Sequence, residues 1–140
     1  MNMEENITMS ANETKFETTL SSIKILVAED EDSSYRVIDK IFSEHEITIT
    51  RAVNGKEAVD IVSSNPNIQL VLMDIKMPVM NGIQATKEIK RLRPELPVIA
   101  TSAFAMPGDK QIFKEAGCED YISKPVKADQ LIGLIKKYTS

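Results

Sequence analysis

From Ile23 onward the chain alternates a short apolar run with a longer segment of helical period, five times over. No other feature restricts its possible folds so strongly. Lys24-Ile25-Leu26-Val27-Ala28 is β-branched, too short for a helix and followed by acids, which suits a buried strand. Val37, Ile38, Ile41 and Phe42 then recur at helical spacing, with Asp39, Lys40 and Glu44 on the other faces. Ile47 to Thr50 alternates as a strand does. Ala58, Val59, Ile61 and Val62 continue as a helix that stops before Pro66. Ile68 to Met73 is the most apolar strand, and Asp74 ends it. Ile83, Ile89 and Leu92 belong to a helix opened near Asn81-Gly82 and closed by Pro94. Pro97 to Thr101 predicts a fourth strand, and Pro107 to Ala116 a helix capped by Gly117. Tyr121-Ile122 marks a short fifth strand, and Leu131, Ile132, Leu134 and Ile135 the stripe of a last helix.

Five β-α units in succession argue for an α/β fold of three layers, a parallel sheet covered by helices on both faces. A chain of 140 residues, 42% hydrophobic, fits one such domain. No apolar stretch approaches the roughly 18 residues that a membrane span needs, and no secretory h-region opens the chain. A net charge of −4 offers no basic face for nucleic acid. Cys118, the only cysteine, cannot form an internal disulfide, which suits a cytoplasmic protein. Residues 1–22 hold four glutamates against Lys15 and are rich in Ser, Thr and Asn, so they predict a flexible arm or linker outside the core. The domain is expected over 23–140. The five units consume that length and leave no room for a separate output domain, so a stand-alone domain or a piece of a longer protein is expected.

In open parallel sheets, ligands bind beyond the carboxyl ends of the strands. Here those ends carry Glu29-Asp30, Asp74, Ser102 and Lys124-Pro125. Each has an ordinary reading. The acids from Glu29 to Asp32 suit a helix N-terminus, Asp74 and Ser102 suit turns, and Lys124 suits solvent. Their convergence on one rim carries more weight than any one of them. Three crowded carboxylates need a neutraliser, and an oxygen-only set favours Mg²⁺ or Mn²⁺. Carboxylate nucleophile, cation, ammonium and hydroxyl are the parts that stabilise phosphoryl transfer.

The stretches Lys24–Asp30 (KILVAED), Val71–Gly82 (VLMDIKMPVMNG), Pro97–Ala105 (PVIATSAFA) and Asp120–Pro125 (DYISKP) resemble the receiver domain of two-component response regulators. The wording is closest to receivers of hybrid sensor histidine kinases. The resemblance implies a flavodoxin-like, doubly wound (βα)5 fold with strand order 2-1-3-4-5. It implies Asp74 as phosphoacceptor for a phosphohistidine donor, making the domain a signalling phosphoacceptor and not an enzyme. Glu29, Asp30, Asp74 and the backbone carbonyl of Lys76 would hold the metal. Ser102 and Lys124 would bind the phosphoryl group, Tyr121 would act as the rotamer switch, and Pro125 and Gly82 would shape the turns. The donor is expected to dock near Ser33–Val37, and a downstream protein on the face made by the fourth helix, fifth strand and fifth helix. A monomer or weak dimer is expected. Two departures are modest: Glu29 stands where Asp is commoner, and Ser102 where Thr is. Lys76 and Phe104 occupy positions that tune phosphoryl lifetime, with Phe104 expected to shield the group.

Other residues have plainer readings. Cys118 is a small apolar residue beside a turn, and His45 a surface residue. Met77, Met80 and Met106 are assigned to partner-facing loops. Three other functions compete. Asp30-Glu31-Asp32-Ser33-Ser34 resembles the pattern of haloacid-dehalogenase phosphatases, with Asp30 as nucleophile and Asp32 as acid. A flavodoxin-like nucleotide binder is opposed by the acids of the first loop, which repel phosphate. A receiver fold used only for docking is opposed by the retention of every reactive group.

Overall fold

A computed structural model of the chain describes residues 21–103 and 106–139. The order is β1 (Ser21–Ala28), α1 (Asp32–Phe42), β2 (Glu46–Ala52), α2 (Gly55–Ser64), β3 (Leu70–Asp74), α3 (Gly82–Leu92), β4 (Val98–Ser102), α4 (Asp109–Ala116), β5 (Asp120–Ser123) and α5 (Ala128–Thr139). All neighbouring strands pair parallel in one sheet, in the order β2-β1-β3-β4-β5. This is the flavodoxin-like doubly wound arrangement.

Side-chain alternation along β1 explains the three layers. Ile23, Ile25 and Val27 pack with Ile38 and Phe42 of α1 and with Leu131 and Ile135 of α5. Leu26 and Ala28 pack on the opposite face with Ala58 and Val62 of α2, Ala85 and Ile89 of α3, and Phe113 of α4. Of the three interior strands, β3 and β4 are buried at every position, as suits strands covered on both sides. Each large aliphatic side chain so buried contributes about 2 kcal/mol. Among the described residues no helix is long and apolar enough to cross a membrane.

Several boundaries differ from the sequence reading for local reasons. Pro97 precedes β4 instead of opening it, because it has no N–H to donate; its carbonyl still accepts from the Val71 amide at 2.9 Å. Pro107 is likewise not helical. Gly108 adopts a left-handed φ of 95°, so α4 starts only at Asp109, whose carboxylate accepts from the Met106 amide at 2.8 Å. The expected arm lies outside the described residues except at Ser21 and Ser22, which open β1. Phe104 also lies outside them. Met77 is core and not a partner-facing loop residue, being only 9% exposed and part of the cluster that holds Ala58 of α2 and Ala85 of α3. Met80 is half-buried and Met106 exposed. His45 is half-buried rather than fully at the surface.

Two devices fix the loops. Asn81 and Gln84 form a reciprocal capping box at the start of α3, at 2.9 and 3.2 Å. At the opposite rim of the sheet, Lys90 Nζ donates to the Leu96 carbonyl at 2.8 Å and to Glu119 Oε2 at 2.6 Å. Glu119 Oε1 in turn accepts from the Val98 amide at 2.8 Å, tying the starts of β4 and β5 together.

Gly55 donates its N–H to the Met80 carbonyl at 2.9 Å, and a Cβ there would overlap that oxygen. Gly55→Ala should therefore lower unfolding free energy by about 2 kcal/mol in a urea titration. Gly133 lies within α5 and a Cβ there meets nothing, so Gly133→Ala should raise it by about 0.5–1 kcal/mol.

Candidate functional site

The strand ends bring the charged residues together. The Glu29 amide donates to the Ala52 carbonyl at 2.9 Å, carrying the β1–β2 ladder one residue past Ala28. Asp74 is the last residue of β3 and pairs with Thr101. Ser102 is the last of β4, and its carbonyl accepts from the Lys124 amide at 2.8 Å. Glu29, Asp74 and Ser102 are 1%, 5% and 8% exposed, whereas Asp30 faces solvent.

Lys124 is the cation among them. Its Nζ lies 2.8 Å from Glu29 Oε1 and 3.5 Å from Asp74 Oδ1. Asp74 Oδ1 also accepts from the Lys76 amide at 3.3 Å, and Glu29 Oε2 from the Glu31 amide at 3.2 Å. One oxygen from each of Glu29, Asp30 and Asp74 lies within 4.8 Å of the others. Asp30, Lys76, Ser102 and Lys124 line a cleft of about 410 Å³ over them.

The electrostatics follow from burial and like charge. Burial, then the charge of Glu29, pushes the Asp74 carboxyl up to about 7 against the opposing pull of Lys124. Burial alone would lower the Lys124 ammonium. Its hydrogen bond to Glu29 and the charges of Asp74 and Glu29 outweigh that and raise it. One ammonium against three carboxylates leaves negative charge in excess. Hard oxygen donors within 4.8 Å of one another fit a divalent cation such as Mg²⁺.

The profile of the response regulator receiver domain matches residues 25–136. This chain belongs to that family. Over 117 residues it is 36% identical to two-component response regulator 24 of Arabidopsis thaliana, covering 84% of each chain. It is also 36% identical, over 120 residues, to hybrid signal transduction histidine kinase I of Dictyostelium discoideum. That match covers 80% of this chain but 7% of the kinase. Among solved structures, the receiver domain of a Pseudomonas aeruginosa sensor histidine kinase superposes with a TM-score of 0.78 at 29% identity. It covers 85% of this chain and 98% of its own, and holds a magnesium ion in its active-site cleft. A Saccharomyces cerevisiae receiver, crystallised with a histidine phosphotransfer protein, has a TM-score of 0.79 at 27% identity, covering 86% of this chain and 91% of its own.

Receivers are signalling domains, and most of the residues singled out in this one meet at its cleft. Gly82 packs beneath it, where a Cβ would overlap the Asp74 carbonyl. The Lys124–Pro125 peptide is cis. Tyr121 is the exception: its half-buried ring packs 5.9 Å from Phe113, with Lys110 Nζ 5.7 Å from the ring, in a separate cavity. Asp32, the acid of the phosphatase reading, does not line the cleft; it pairs with Arg51 at 2.9 Å. Cys118 is buried against Thr86, and burial pushes its thiol up to about 11. Two contributors went unseen in the sequence. Gly55 had a signal, the Asn54-Gly55 pair at a helix start. Arg51 had none, because its contacts cross from one strand to the loop of another.

A carboxyl whose folded pKa is raised contributes most stability below its ordinary value near 3.9, and loses it as pH rises to about 7. The metal-free protein should therefore be stabilised by Asp74→Asn at pH 8, by on the order of 2–4 kcal/mol. The gain should shrink toward zero near pH 4, as read by thermal unfolding in chelator.

Proposed function

We propose that this receiver accepts a phosphoryl group from a phosphohistidine donor onto Asp74, and thereby switches the face made by α4, β5 and α5. The observation that carries the reading is a carboxylate on the cleft floor, 3.5 Å from an ammonium and crowded by two further acids. Glu29, Asp30, Asp74 and the Lys76 carbonyl would hold Mg²⁺ or Mn²⁺. When bound, such an ion supplies neutralisation of phosphoryl oxygen charge.

Asp74 does the covalent work. Its carboxylate oxygen attacks the phosphorus in line, a P–O bond forms, and the P–N bond to the donor imidazole breaks. The imidazole leaves with the electron pair and is protonated on departure. Lys124 gives an N–H to a phosphoryl oxygen, and the Ser102 hydroxyl gives another. Drawing Ser102 inward frees room for Tyr121 to turn from Phe113, which biases the α4-β5-α5 face between two states.

The donor docks on α1. An apolar hollow of about 200 Å³ lies between Ser33, Ser34, Val37 and Ile38 on one side and Lys124 and Pro125 on the other. Val37 is 46% exposed there. The yeast neighbour's partner, a histidine phosphotransfer protein, is a donor of the chemical kind this site calls for. The chain works in the cytoplasm as a monomer or weak dimer, with the residues before Ser21 as an arm outside the receiver.

Asp74→Asn should abolish labelling by a radiolabelled phosphohistidine donor, and Asp30→Asn should slow it about tenfold or more through the metal. The label on the unaltered protein should be released by hydroxylamine, as an acyl phosphate is. Undiminished labelling of Asp74→Asn would overturn the assignment.

A further inference from the structure

The β1–α1 loop carries two of the three acids of the cleft, and one side chain from a neighbouring strand grips it. Arg51 stands in β2 opposite Val27, one residue before the strand ends. Its Nε donates to the Glu29 carbonyl at 3.0 Å. Its guanidinium lies 2.9 Å from Asp32 Oδ1 and 4.4 Å over the ring of Tyr35. The side chain is 24% exposed. Resting on the reading that Glu29 and Asp30 hold a divalent cation, we propose that Arg51 is the positioning residue of the metal-binding loop.

The argument is one of rigid units. Glu29 is held at both of its peptide groups, its amide by the Ala52 carbonyl and its carbonyl by Arg51. The carbonyl of Glu29 and the amide of Asp30 share one planar peptide. Fixing that carbonyl therefore fixes the direction in which Asp30 leaves the strand. The pairing with Asp32 and the stack on Tyr35 extend the same grip into the first turns of α1. A planar guanidinium can hydrogen-bond the Glu29 carbonyl, stand against the Asp32 carboxylate and stack on Tyr35 at once, whereas an ammonium is a point charge that does not stack this way.

Charge alone predicts the opposite role. A cation beside Glu29, Asp30 and Asp32 weakens the pull of the cleft on another cation. Removing it should tighten Mg²⁺ binding if charge were its only effect, and loosen it if geometry dominates. The two accounts thus differ in sign.

Mg²⁺ titrations of the full chain by calorimetry, at physiological salt, separate them. Arg51→Met should weaken apparent Mg²⁺ affinity about tenfold, the lower end for residues that orient metal ligands. Arg51→Lys should recover less than half of that loss on a logarithmic scale. In chelator, amide exchange at residues 29–31 should quicken in Arg51→Met, while exchange at Leu131 and Ile135 stays as in the unaltered protein. Equal or tighter Mg²⁺ binding by Arg51→Met overturns the proposal. So does full recovery in Arg51→Lys, or exchange that quickens equally at Leu131 and Ile135, which marks global destabilisation. If the unaltered protein itself binds no Mg²⁺, the metal reading fails and takes this proposal with it. Unaltered protein that binds, beside a Met variant that binds as well, defeats this proposal alone.

Discussion

The contact on which the cleft depends is that of the Lys124 ammonium with Glu29 and Asp74, at 2.8 and 3.5 Å. It joins residues that follow or end β1, β3 and β5, so strands that do not all neighbour one another share a single charge. Removing it would leave two nearly buried carboxylates facing each other with no cation, an arrangement that burial makes expensive. The sheet order matters for the same reason. Only because β1 and β3 are adjacent can Glu29 and Asp74 crowd together, and only the parallel sense puts every strand's carboxyl end on one rim.

Two buried anions and one cation are also an unfinished balance. The elevation of Asp74 to about 7 expresses it, because burial and the charge of Glu29 both oppose ionisation. Among the described residues, Lys124 and the Lys76 amide favour its ionised form, and Lys124 is shared with Glu29. A hard cation on the exposed Asp30 side would complete the balance from solvent. An unmet electrostatic cost is thus concentrated at one residue, as it often is at functional sites.

Much of this was legible in the sequence. Strand ends betray themselves because an apolar run must stop where charge begins, and so Glu29, Asp74, Ser102 and Lys124 could be placed on one rim before any coordinate. The β-α repeat likewise dictated layers. What escaped was set by backbone detail or by distance along the chain. Pro97 and Pro107 were drawn into elements they only precede, since the left-handed turn at Gly108 decides where α4 begins. Met77 follows β3 closely, where a surface loop is expected, yet it belongs to the core cluster that holds Ala58 and Val62 of α2 and Ala85 and Ile89 of α3. Arg51 reaches a loop 22 residues earlier, and nothing in its own neighbourhood announces that.

The tie at the other end of the sheet has a mechanical meaning. Lys90, Glu119 and the Val98 amide bolt the starts of β4 and β5 to each other and to the loop after α3. Their far ends carry Ser102 and Lys124 and open on the cleft. A pair of strands anchored at one end and loaded at the other behaves as a cantilever. Any displacement imposed at the rim is greatest there and fades toward the bolt. Tyr121 lies near the fixed end, one residue beyond Asp120. The backbone beneath its ring therefore shares little of any displacement at the rim.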